Sequence, residues 1–518
     1  MPKFPRFGRR ASDQPGQPLP KQPFYRRPWF ITSVVVLVAA GGIIGGWQPW
    51  RSYCGSGLTE EGSPYVCVGL DVDSGKFADN DPFADLEARI AAANAQITGD
   101  YATIVLLDNL TPDPDTDSLS VAMVRHRLEG AITAVWRANN QAVAGGTTPP
   151  IKLLLASFGS GASYESEAVH AIVAARADQH IVAVTGLGQS LDTTRQAAKD
   201  LSDANIVTVG SVVSADNMNT DQSGQHIANF FRVAATNNDS AQAAVNYIAG
   251  HGYQKVLLIE DANQSDSYDQ SLAADFSTAY AKRFGSPVPN TESYESPATP
   301  VNSATRSTYL TDQFAHMHSD ICADRPDLIY FGGRGVDLAS FLTALSQGGA
   351  CGLGPIDVLT GDDAASLVGQ RPPAFPGLSV RVFYTALATA NQWQGFPAGT
   401  DTVQDYTAFA QAFSDNGFDP KDLQEEDAIM SHDAVLAAAL AVRLDPLATA
   451  DSSTVKAYFL RLKCTQFVPG ASGDIAFGND GNPVDKAVPM LQLMPDGSTV
   501  LRDVTWPAGK QFDPRTTC

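Results

Sequence analysis

Residues 181–211 read IVAVTGLGQSLDTTRQAAKDLSDANIVTVGS, and their interpretation decides the fold. IVAVTG (181–186) is an apolar run with the character of a buried strand. GLGQS breaks it, TTRQAAKDLSDA (193–204) has helical spacing, and NIVTVGS (205–211) is a second apolar run. A strand, a helix and a strand in succession lie side by side as a parallel pair.

The same unit extends in both directions. Upstream, ATIVLLDNL (102–110) and IKLLLASFG (151–159) read as strands, with helical LEGAITAVWRANNQ (128–141) between them and ESEAVHAIVAARAD (165–178) after them. After FFRVAATNNDS the alternation restarts: helix AQAAVNYIAGHG (241–252), strand QKVLLIED (254–261) and helix SLAADFSTAYAKRF (271–284). Strand DLIYFGG (327–333), helix VDLASFLTALSQG (336–348) and strand PIDVLTGDD (355–363) follow. Fold class is therefore α/β, with two doubly wound parallel-sheet lobes joined by hinge strands and a cleft between them. In such sheets ligands gather at the carboxyl ends of the strands. Hinges are expected near Ala234–Asn238 and Tyr384–Ala390. GDIAFGNDGNPVDKAVPMLQLM (473–494) predicts a strand pair turning at NDGN.

Charge divides the chain. Residues 1–27 carry Lys3, Arg6, Arg9, Arg10, Lys21, Arg26 and Arg27 against Asp13 alone, among prolines. Net charge is nevertheless −21, so the remainder is more acidic still and a poor partner for nucleic acid. WFITSVVVLVAAGGIIGGW (29–47) has no charge, is long enough to cross a bilayer, and has tryptophans at its ends. With the basic residues before it, this segment predicts a single transmembrane helix with a cytoplasmic tail; a cleaved signal peptide is the alternative. The expected divisions are a tail (1–27), a span (28–48), a linker with helical DPFADLEARIAAANAQI (49–100), lobe 1 (101–235, completed by 386–463), lobe 2 (236–385, completed by 464–500) and a C-terminal tail (501–518).

Six cysteines, Cys54, Cys67, Cys322, Cys351, Cys464 and Cys518, all follow the apolar segment, as an oxidising exterior allows. Nearest-neighbour pairing is expected, and the spacings do not resemble a zinc site. The eight histidines are scattered, HExxH and GxSxG are absent, and DPDTD (113–117) lacks the glycine and glutamate of an EF-hand. Neither enzymatic activity, nor a metal, nor a cofactor is expected.

Four stretches in this order resemble the type I periplasmic solute-binding proteins, in particular the branch that binds branched-chain amino acids for ABC importers. They are VTGLGQSLDTTRQAAKDLSDANIVTVGSVVSAD with FFRVAATNNDSAQAAVNYI, QKVLLIEDANQSDSYDQSLAADF, RPDLIYFGGRGVDLASFLTAL, and GASGDIAFGNDGNPVDKAVPMLQL. The resemblance covers roughly residues 101–500. It implies that Ser190, Thr193 and Thr194 receive a ligand carboxylate, helped by Ser214, while Asp239, Tyr268 and Asp362 or Asp363 surround its amino group. A glycine loop before a helix start suits an anion, although Thr193 and Thr194 also suit a helix cap. A Rossmann loop is disfavoured because the third glycine is absent. GGRGVD departs from the family, which often has an aromatic pair there: Arg334 either binds a second anionic group or neutralises Asp362 or Asp363. The implied partners are an amino acid or similar zwitterion, ABC permease subunits and, through the N-terminal helix, a membrane. A ligand-sensing ectodomain without a transport role is the alternative, and an extracytoplasmic hydrolase a remote one.

Overall fold

Runs of Val, Ile and Leu bounded by glycine build two seven-stranded sheets. The computed structural model describes residues 54–62, 65–73, 76–297, 301–444, 452–463 and 466–517. The basic tail, the apolar segment 28–48, Cys464 and Cys518 lie outside them. Among the described residues no helix is long and apolar enough to cross a membrane.

Sheet one contains β1 (Leu58–Glu61), β2 (Val66–Asp71), β3 (Ala102–Asp108), β4 (Ile151–Ser157), β5 (Ile181–Gly186), β6 (Val207–Gly210) and β7 (Phe230–Arg232). Their spatial order is β1-β2-β4-β3-β5-β6-β7, parallel from β4 to β7, with β1 and β2 antiparallel at one edge. Sheet two contains β8 (Val256–Asp261), β9 (Asn290–Tyr294), β10 (Leu328–Gly332), β11 (Ile356–Thr360) and β12 (Val380–Thr385). A two-stranded pair, β13 (Val468–Gly470) with β14 (Gly473–Ile475), comes next. β15 (Val488–Leu493) and β16 (Thr499–Thr505) then complete sheet two in the order β16-β15-β12-β11-β10-β8-β9.

Helices α1 (Ala84–Ala95), α2 (Val121–Gln141), α3 (Glu165–Ala175) and α4 (Asp192–Asp203) belong to lobe 1. Lobe 2 takes α5 (Asn237–His251), α6 (Ser267–Phe284), α7 (Ser303–Asp324) and α8 (Gly335–Gly348). The chain then returns to lobe 1 for α9 (Asp401–Asp415), α10 (Asp427–Arg443) and α11 (Ser452–Phe459).

Three expectations need correction. The stretch 49–100 is more than a linker, because β1 and β2 extend sheet one. The tail 501–518 contains most of β16, and beyond it the chain runs back to lobe 1, where Trp506 packs with Trp393 and Arg515 bonds Asp401 at 2.7 Å. NDGN does not join a strand pair: one isolated bridge, Phe477 to Pro483, closes that turn, while β14 and β15 enter different sheets. The turn docks on lobe 1 instead, with Arg232 N donating to the Gly481 carbonyl at 3.0 Å. Lobe 2 is therefore completed from Val488 onward.

Disulfides Cys54–Cys67 and Cys322–Cys351 are formed as expected. The pairing of Cys464 with Cys518 falls outside the described residues.

α10 is buried along nearly its whole length, which its run of alanines permits by letting backbones approach. It lies against Gly130 of α2, where a Cβ would overlap the Ala428 carbonyl. Gly130→Ala is expected to destabilise lobe 1 by about 1–3 kcal/mol through overpacking. Gly250, also helical, has nothing within 4 Å of an added Cβ, so Gly250→Ala should instead gain roughly 0.5–1 kcal/mol. Urea denaturation of the two variants reads the contrast.

Candidate functional site

The loop after β5 is forced into shape by its glycines. Gly186, Leu187 and Gly188 have φ of +98°, +71° and +60°, a left-handed run that costs little only for glycine. A Cβ on Gly186 would lie 2.7 Å from the Leu107 carbonyl oxygen, and one on Gly188 would lie 2.9 Å from the Phe158 ring. Leu187 carries the strain and donates its N–H to the Leu107 carbonyl at 2.8 Å. The loop therefore lies tightly on the end of β3 and turns Ser190 inward, where it is 2% exposed.

Ser190 Oγ accepts the Ala215 N–H at 3.1 Å, joining this loop to the one after β6. Thr194 Oγ1 accepts from Leu191 N at 2.9 Å and donates to the Gln189 carbonyl at 2.7 Å, so it holds the start of α4. Thr193 Oγ1 donates to the Gly161 carbonyl at 3.1 Å. Of the four hydroxyls, only those of Ser190 and Ser214 line the cleft.

From lobe 2 come Tyr268 in the first turn of α6, Arg334 as N-cap of α8, and Asp362 and Asp363 just after β11. Arg334 is buried and stacks on Tyr268, its guanidinium carbon 4.5 Å from the ring centre. It bonds Asp266 through Nε at 3.0 Å and Nη2 at 2.9 Å, and Asp363 through Nη1 at 3.3 Å. Burial alone would lower the guanidinium pKa, but Asp266 and Asp363 overcome it and hold the pKa well above its usual value. Arg334 thus neutralises Asp363 and not Asp362. Asp239 is not a cleft residue: with Thr236 it forms a reciprocal cap at the start of α5.

Lobe 1 adds groups the sequence reading did not single out. Arg127, in α2, is buried and donates to both oxygens of Asp108 at 3.1 Å and to Asp427 at 2.5 Å. Glu426 immediately precedes α10, and its side chain accepts the Leu387 N–H at 2.8 Å. These residues come from separate helices and carry no shared motif. The one available signal was a lone arginine inside the apolar stripe of VAMVRHRLEGAITAV, together with two acids at the start of a helix too apolar to face water.

The expected cleft between the lobes is closed by side chains. Ser214 Oγ donates to Asp362 Oδ2 at 2.9 Å, Arg334 Nη2 to the Ser190 carbonyl at 2.7 Å, and Ser267 Oγ to Asp192 at 2.7 Å, each across the lobes. Only about 30 Å³ of the cleft is open to a water-sized molecule, far below the roughly 300–1,000 Å³ typical of small-molecule sites, so the lobes have to part to admit a ligand. A ligand there has to exchange its own polar groups for the cross-lobe bonds.

Charge in the cleft is unbalanced. Asp363 is paired with Arg334 and Asp427 with Arg127, whereas Asp362 and Glu426 form no ion pair among the described residues. Burial, then Asp363, raises the Asp362 pKa to about 7. Burial, then Asp362, pushes Glu426 well above the carboxylate range. Burial raises Asp427 to about 8 despite Arg127, and its Oδ2 has no hydrogen-bond partner.

No protein-family model matches this sequence, and no curated protein matches it. Solved structures do share its fold. An ABC transporter substrate-binding protein from Desulfitobacterium hafniense in complex with Leu superposes with TM-score 0.57 at 18% identity, covering 78% of this chain and 100% of its own. The branched-chain amino acid transporter substrate-binding protein LivJ of Streptococcus pneumoniae, in complex with isoleucine, gives 0.54 at 16%, covering 79% and 100%. A solute-binding protein from R. palustris in complex with 4-hydroxybenzoate gives 0.54 at 13%, covering 78% and 96%. The fold is that of type I periplasmic binding proteins.

Proposed function

We propose that the chain is an extracytoplasmic solute-binding protein that closes two lobes on a small zwitterion, an amino acid or close analogue, and passes it to an ABC permease. Residues 28–48 tether it to the membrane in this reading. Support comes from the shared fold and, above all, from one observation: Asp362 and Glu426 meet in the cleft as buried carboxyls without a cationic partner. An ammonium group supplies that partner, and a water-poor cleft strengthens the pair. Arg334 and Ser190 offer donors to the ligand's carboxylate.

Protonation gives the reading a sharp test. Below about pH 7 Asp362 holds a proton, which an incoming ammonium must expel. Affinity for the zwitterion should therefore rise with pH through about 7, by at most tenfold per pH unit for each proton released. A thermal-shift screen of amino acids identifies a binder. Calorimetry on that binder between about pH 5.5 and about pH 8.5, in buffers of different ionisation enthalpy, then counts protons. An amino acid that binds with the same affinity across the range would remove the cleft carboxyls from the account.

A further inference from the structure

Lobe 2 holds another concentration of buried acid, formed by Asp261 at the end of β8, Asp269 in the first turn of α6 and Asp337 in the first turn of α8. One carboxylate oxygen from each lies within 4.8 Å of the others. The residues are 3%, 0% and 0% exposed.

Their hydrogen bonding is incomplete in one direction only. Asp337 is gripped by Arg306 at 2.7 and 2.8 Å and accepts the Tyr294 hydroxyl at 3.2 Å. Asp261 spends Oδ1 on the N–H groups of Asn263 and Ser296, both at 2.9 Å. Asp261 Oδ2 and both oxygens of Asp269 are buried with no hydrogen-bond partner. Arg334, the other nearby guanidinium, is committed to Asp266 and Asp363.

Carboxylate oxygens withdrawn from water need a donor or a cation. Two oxygens bound to one calcium at about 2.3–2.6 Å can be at most about 5 Å apart, which this cluster satisfies. An all-oxygen, carboxylate-rich set selects a hard cation, and calcium tolerates irregular geometry where magnesium demands an octahedron and retains waters. Charge agrees, since three carboxylates and one guanidinium are neutralised by one dication. His318, Cys322 and Cys351 also cluster, but their cysteines are joined in a disulfide.

We propose that Asp261, Asp269 and Asp337 form a buried calcium site in lobe 2. It is independent of what the inter-lobe cleft binds.

The full chain, purified without chelator, is analysed for metal, then stripped with EDTA and titrated with calcium or magnesium while its Tm is followed. The expected results are about one calcium per chain, and a Tm that falls on stripping and recovers with the logarithm of calcium concentration. Magnesium should recover less. Asp261→Asn keeps Oδ1 and both of its backbone bonds, so it should fold yet lose the bound calcium and the Tm response; Asp269→Asn should do the same. The proposal is overturned if wild-type protein carries no metal and its Tm ignores EDTA and calcium, the cluster then being neutralised by a proton. Full retention of the calcium response by Asp261→Asn would also overturn it, because the ion would then bind elsewhere.

Discussion

Arg334→Ala is expected to cost about 3–5 kcal/mol, the range for removing one partner of a buried ion pair. The side chain of Arg334 is 6% exposed, and those of its partners Asp266 and Asp363 are 18% and 11% exposed, so water can replace little of what the guanidinium supplies. Both acids also have structural duties. Asp266 accepts the N–H groups of Tyr268 and Asp269 at the start of α6, and Asp363 accepts that of Gly335 at the start of α8. Loss of the arginine leaves their charges facing each other and removes the bond to Ser190 across the cleft. Lysine should rescue little, because one ammonium cannot reproduce the planar fork that serves three acceptors. Urea denaturation measures the effect. A loss below about 1 kcal/mol, the range of solvent-screened pairs, would show that the cluster is wetter than its geometry implies.

Asp362→Asn should have opposite effects on binding and on stability. For the proposed amino-acid ligand, losing the carboxylate is expected to cost about 2–5 kcal/mol, at least thirtyfold in Kd, since an ammonium would be left without its counter-charge. The pH dependence of binding should weaken with it. Ligand-free stability should change the other way above pH 7. A carboxyl whose folded pKa of about 7 exceeds its unfolded value of about 3.9 favours the folded state below the unfolded pKa, and loses that advantage as pH rises through the folded one. Asparagine stays neutral, can still accept from Tyr268 or Ser214, and escapes the loss. A variant that binds as tightly as the wild type, or is less stable than it at about pH 8.5, would show that Asp362 stays charged and serves the fold alone.

The alternation of apolar runs with helical spacing was readable because parallel strands covered on both faces are buried at every position, as β3, β5 and β11 are, and so are largely apolar. β9 escaped notice because NTESY is a largely solvent-facing edge strand. α7 was legible only around His316 and His318, as an exposed helix, because only a few of its residues reach the core. Ser190, Ser214, Tyr268, Arg334 and Asp362 were legible because each follows a strand at the cleft end of its sheet. Thr236 and Asp239, three apart before a helix, spell a capping box, and that local signature was the better guide to Asp239 than its nearness to a strand end. Arg127 and Glu426 were invisible for another reason: they meet across some three hundred residues of chain, and only the packing of α2 on α10 brings them together.

The two described disulfides each close within one lobe, Cys54–Cys67 beside β2 and Cys322–Cys351 between α7 and the end of α8. Neither bridges the cleft, so oxidation can harden each half without welding the jaws. Mild reduction should therefore loosen the halves separately and leave the proposed swing between them mechanically unchanged.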